Sequence, residues 1–151
     1  MDLSTFFSIT ATIAGVVAAY LTYVQMQLPF IKQPTRPQTF VGHDGYRYLV
    51  IFLTLGTSLS NVRYDKLTAK GFDIAKRPIR DLEFNPEDTR ELEFTDVIPL
   101  RFQTSPCELE HRFRVFVRLH KPAQEIEISI PYHWRWLHRT LRERIPVPPE
   151  E

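Results

Sequence analysis

The sequence predicts a mainly β protein: an N-terminal single transmembrane α-helix, then an antiparallel Ig-like β-sandwich with a C-terminal amphipathic helix. Three observations carry that fold class. Residues 3–24 contain no charged, amide or imidazole side chain. The middle of the chain is a series of short apolar runs separated by turn residues, with period-2 alternation over 111–119 and 124–130. Residues 132–145 then change to helical spacing, with Trp134, Leu137, Leu141 and Ile145 on one side.

The apolar opening meets the length a bilayer requires. A hydrocarbon core about 30 Å thick is crossed by roughly 20 residues rising about 1.5 Å each. In lipid every backbone polar group must be paired within the segment, so a single crossing is a helix. Tyr20 and Tyr23 fall near one end, at the level where aromatic rings favour the headgroup layer. A cleaved signal peptide is a weaker fit, since its basic n-region is missing and Asp2 is the only charge before the run. A buried globular helix would show a polar stripe, and Ser4, Thr5, Ser8, Thr10 and Thr12 do not make a charged face. Residues 1–28 are therefore read as the anchor. Lys32, Arg36 and Arg47 follow it and no basic residue precedes it, which predicts a short N-terminus outside the cell (inner) membrane and a cytoplasmic C-terminal domain. Ala11, Gly15 and Ala19 repeat every four residues, a small-residue face that lets helices approach and predicts oligomerisation or pairing in the membrane.

Beyond the anchor about 120 residues remain, one domain's worth, enough to bury a core without staples. Cys107 is the single cysteine, so there is no internal disulfide, in keeping with a reducing compartment. With 19 basic against 18 acidic residues the net charge is +1, and no basic excess argues for nucleic acid.

Residues 29–38 hold Pro29, Pro34 and Pro37 and read as an extended connector. The sandwich is assigned to 39–131. A short strand ends at Val41, and Asp44 with Gly45 supplies a hairpin turn. Residues 46–57 follow, apolar at consecutive positions and so expected to be covered on both faces. Residues 58–61 punctuate, 62–69 alternate loosely, and a bulge at Gly71 precedes a continuation to Ile74. Lys76, Arg77 and Arg80 hand over to an acidic block from Asp81 to Asp96, giving a solvated charged face or a candidate partner surface. Residues 92–102 return as a strand, with Pro99 at an edge or bulge.

In 111–119, Phe113, Val115, Val117 and Leu119 alternate with Arg112, Arg114, Phe116 and Arg118; in 124–130, Ile126, Ile128 and Ile130 alternate with Glu125, Glu127 and Ser129. Joined across Pro122, the two runs are expected to pair as an antiparallel hairpin, with arginines opposite glutamates. The helix predicted over 132–145 places Trp134, Leu137, Leu141 and Ile145 inward, with Arg135, His138, Arg139 and Arg142 on its remaining circumference and Trp136 among its candidate interface residues. Such a helix either closes the sandwich or lies on anionic lipid as a membrane-interface element. Pro146, Pro148 and Pro149 then mark the tail, 146–151.

No motif carries catalysis. Cys107 and His111 form no recognisable nucleophile and base pair, the five histidines lack HxxxH or HExxH spacing, and no phosphate-cradling glycine loop occurs. The expectation is a non-enzymatic protein with no catalytic residue, cofactor or metal. In architecture, over the whole chain, this layout resembles small bacterial membrane-anchored Ig-like proteins. It is also similar to the membrane effectors of bacterial anti-phage signalling that join several transmembrane helices to a β-barrel sensor. The first resemblance implies an interaction or scaffold module that presents a cytoplasmic β-sandwich to a protein partner and oligomerises through its helix. The second implies a sensor of a small, nucleotide-like ligand, for which an aromatic-lined pocket with convergent arginines would be the signature.

Overall fold

The computed structural model describes residues 2–33, 35–76 and 92–149. Helix α1 (Leu3–Gln27) is 25 residues long, holds an 18-residue window of mean hydropathy 1.6 and no buried residue, and is long and apolar enough to cross a membrane. Three of its hydroxyls are satisfied within the helix: Thr10, Thr12 and Thr22 donate to the carbonyls of Phe6, Ser8 and Ala18. Leu28 is extended, as a residue before proline prefers, and Pro29 ends the helix.

The remainder is two antiparallel sheets. The first joins β1 (Phe30–Lys32), β2 (Gln38–Val41), β3 (Arg47–Gly56), β6 (Asp73–Ala75), β7 (Phe94–Thr95) and β9 (Glu110–Leu119) in the order β1-β3-β9-β6-β7, with β2 also on β3. The second joins β4 (Arg63–Tyr64), β5 (Lys66–Ala69), β8 (Val97–Pro99), β10 (Glu125–Trp134) and β11 (Leu137–Pro146) in the order β11-β10-β5-β8, with β4 also on β10. Leu49, Ile51, Leu53 and Leu55 of β3 and Phe113, Val115 and Val117 of β9 meet Leu67, Ile126, Ile128 and Ile130 of the second sheet in one core. The outer face of β3 and β9 is also covered. Val50, Ala75 and Phe116 form a second cluster beneath Phe40, Phe52, Leu92 and Phe94, so β3 is buried on both faces as its unbroken apolar run requires.

Three sequence expectations are corrected. First, β9 and β10 are not a hairpin. The strand β9 pairs with β3 and β6, while β10 pairs with β11, β4 and β5, so residues 120–124 cross from one sheet to the other. Facing each other across the core, the two apolar rows bury one another, which neighbours within one sheet cannot do. Glu125 and Glu127 accordingly meet Arg144, at 3.6 and 4.0 Å, and Arg118 meets Asp73 at 2.6 Å.

Second, residues 132–145 form no amphipathic helix; Trp134, Leu137, Leu141, Arg135, Trp136, Arg139 and Arg142 belong instead to the β10 and β11 ribbon and its tip. Leu137, Leu141 and Ile145 recur every four residues, a spacing that serves one face of a helix and one face of a strand equally. Arg139 and Glu143 interrupt that inward row and hide the period of two, while pairing with β10 along ten positions settles the chain as a strand.

Third, the connector is partly ordered into the sheet: Phe30, Ile31 and Lys32 pair with Gly56, Leu55 and Thr54. The Phe30 ring lies over Gly56 so closely that a Cβ there would stand 2.5 Å from its Cζ.

The pairings give the domain two ends. Near Gly56 lie the start of β1, the start of β9 and, through the 57–61 loop, β4 and the β10 and β11 tip. At the opposite end Arg47 stands opposite Leu119, and the Arg47 Nη2 donates to the Pro148 carbonyl at 2.6 Å.

Candidate functional site

The helix enters at the first of these ends, and the junction is a defined piece of structure. Thr57 Oγ1 donates to the Gln27 carbonyl at 2.8 Å and accepts from the Leu59 N–H at 3.1 Å, while the Thr57 N–H donates to the Leu109 carbonyl. A carbonyl from the last turn of α1, where orphan acceptors are normal, is thereby satisfied by the β domain. Four residues on, the Asn61 N–H donates to the Thr104 carbonyl, and the Val62 N–H to Thr104 Oγ1 at 2.8 Å, fastening this loop to the strands.

An open groove of about 730 Å³ opens beside this loop. Its wall includes the guanidiniums of Arg63, Arg101 and Arg135, the imidazoles of His133 and His138 and the carboxylate of Asp65, with Tyr64 and Phe102 beside them. Strand pairing assembles it: His133 stands opposite both Arg63 and His138. The two imidazoles contact edge to face at 4.3 Å, and His133 Nε2 lies 3.9 Å from Asp65 Oδ2. Among the described residues none of the three guanidiniums is ion-paired with a carboxylate. Tyr64 is buried with its hydroxyl unpartnered among those residues, and burial pushes its pKa up.

Arg135 and Trp136 form the two-residue connection of the β10 and β11 ribbon. Arg135 has φ +54°, a conformation in which glycine is relaxed and an L side chain is strained. Its guanidinium lies 5.0 Å over the Trp134 ring, and Trp136 is 82% exposed.

Of the residues singled out in the sequence, Trp134, Leu137 and Leu141 pack against the core, while Arg135, Trp136, Arg139 and Arg142 are exposed. Ala11, Gly15 and Ala19 lie exposed on α1, and a Cβ on Gly15 would meet nothing within 4 Å. Lys76 is exposed and ion-paired with Glu93; Arg77 and Arg80 lie outside the described residues. Cys107 is exposed in the turn closed by Ser105 and Glu108, whereas His111 is buried, its ring stacked on Phe102 at 5.0 Å and its Nδ1 3.1 Å from Glu108 Oε1. The described residues include no cluster of three or more metal-ligating side chains. Sequence reasoning missed Thr57, Arg63 and Arg101 and weighed His133 and His138 only for metal spacing and, for His138, as part of a helix face; pairing between distant strands is what gathers them.

A second groove, of about 860 Å³, lies at the far end between β2 and the tail, lined by Phe40, Val41, Arg47, Pro148 and Pro149. Compared with known proteins, the chain matches no family model and no curated protein.

Proposed function

We propose that this chain is a single-pass membrane protein whose Ig-like β-sandwich is a non-enzymatic interaction module, held close above the cytoplasmic leaflet to present its far end to a protein partner. The carrying observation is the junction: no residue of α1 is buried, Thr57 holds the carbonyl of Gln27 in its last turn, and β1 just beyond it is paired into the sheet. A tether of this kind raises the local concentration of whatever the domain binds and needs no reacting group. The Ala11, Gly15 and Ala19 face leaves α1 room to pair with a second helix, which supports oligomerisation in the plane of the membrane. The exposed far groove, with Val41 71% exposed, is the surface offered to the partner.

The filled interior favours this reading over a sensor of a nucleotide-like ligand. The core between the sheets is closed by Leu, Ile, Val and Phe side chains, and both grooves described are open to solvent. The test is isolation of the full-length chain from detergent-solubilised membranes. A protein partner in fixed ratio, lost on Val41→Asp, is expected; recovery of the chain alone in a defined oligomer contradicts the scaffold role.

A further inference from the structure

We propose that the groove walled by Arg63, Arg101 and Arg135, together with Trp136 at its rim, is a binding site for the phosphate of anionic glycerophospholipids in the leaflet that α1 leaves. The inference rests on the membrane reading of α1.

Position is the first argument. The stretch of α1 without a charged or amide side chain ends at Val24, three residues and roughly 5 Å of helix before Gln27. Gln27 is bonded to Thr57, and Asn61 of the groove wall is four residues further on, at most about 14 Å of chain. The headgroup layer adds about 6 Å on each side of the hydrocarbon. The groove wall therefore stands within about 20 Å of the hydrocarbon edge, on the side where α1 leaves the leaflet.

Charge is the second. Among the described residues, three guanidiniums without carboxylate partners line one groove, joined by two imidazoles and faced by one carboxylate, Asp65, which is itself beside His133. The planar fork of arginine fits phosphate oxygens in bidentate fashion, which a diffuse surface charge does not. The third is the tip. A tryptophan left 82% exposed next to basic side chains suits the headgroup boundary, where an amphipathic ring keeps one edge wet. Arg135 holds its place at φ +54° although glycine would relieve the backbone, so its side chain is retained in a position that local folding disfavours.

Both tryptophans of the protein, Trp134 and Trp136, belong to this tip, so intrinsic fluorescence reports on it alone. The full-length chain is reconstituted into vesicles of phosphatidylcholine, or of equal parts phosphatidylcholine and phosphatidylglycerol, and acrylamide quenching is measured. Quenching about twofold weaker in the anionic vesicles is expected. The triple variant Arg63→Gln, Arg101→Gln, Arg135→Gly should lose that protection; glycine at 135 relaxes the turn, so misfolding is not the expected cause. A control with Lys121, Arg142 and Arg144 each changed to Gln removes equal charge elsewhere and should keep it. Equal quenching in both vesicles, or equal loss in both variants, overturns the site while leaving the anchor intact. Full protection in neutral vesicles from added glycerol phosphate also overturns the lipid as the source. Failure of the chain to float with either vesicle is a separate result, which overturns the membrane reading and this inference with it.

Discussion

Thr57 and Gln27, thirty residues apart in the chain, are joined by a 2.8 Å hydrogen bond from a threonine hydroxyl to a carbonyl of the last helical turn. This bond, with β1 beyond it, makes the passage from helix to β domain a fixed joint. Thr57→Val keeps the shape and removes the donor, leaving the Gln27 carbonyl and the Leu59 N–H each without that partner. A loss of about 1 kcal/mol is expected. Faster proteolytic cleavage around Leu28 checks it, and unchanged cleavage argues against the joint.

Phe116 distinguishes the observed topology from the hairpin that its sequence suggests. On a solvated outer face, truncation would cost little; in the structure Phe116 is 0% exposed, packed with Val50 and Ala75 and edge to face with Phe40. Phe116→Ala should therefore lower stability by about 3 to 5 kcal/mol in denaturant unfolding. A loss within the range of a surface change contradicts the covered face.

The Asp44 and Tyr48 pair predicts a limit on each side of neutral pH. Burial pushes Asp44 upward, but hydrogen bonds from the Tyr48 hydroxyl and the Tyr46 N–H outweigh it and hold its pKa below the ordinary value of 3.8. A folded pKa below the unfolded one means that this contribution is complete above about pH 4 and fades as pH falls through the folded value. Tyr48 moves the other way, raised by burial and then by its bond to Asp44. Its contribution is complete below the ordinary tyrosine value of 10.0 and is lost as pH rises beyond it. In unfolding curves across pH, Tyr48→Phe should flatten both limbs; Asp44→Asn should flatten the acid limb. Profiles unaltered by either substitution contradict the pairing.

Cys107 is an exposed single thiol near the helix junction and serves as a native reporter of sidedness. With the domain in the cytoplasm, a membrane-impermeant maleimide should label it in permeabilised cells and not in intact ones. Labelling of intact cells contradicts the orientation drawn from Lys32, Arg36 and Arg47.

Where the apolar pattern has one reading, the sequence shows the structure well. The uncharged helix, the Asp44 and Gly45 turn and the doubly covered β3 all follow from local chemistry. Where two structures share a pattern, it does not. Two alternating runs with a short link suit a hairpin or a crossing between layers, and only the burial of Phe116 and Arg114 on the outer face separates them. Leu137, Leu141 and Ile145 suit helix and strand alike, and the partner that decides is β10. The basic groove was legible only at its tip, in Arg135 and Trp136, because Arg63 and Arg101 reach it from distant parts of the chain.

The most direct test of the account is alkaline carbonate extraction of membranes holding the full-length chain, with N-terminal sequencing of the product. The account predicts that the chain stays in the bilayer with residues 3–27 intact. Release into the aqueous phase, or a product that starts downstream of Tyr23, contradicts it.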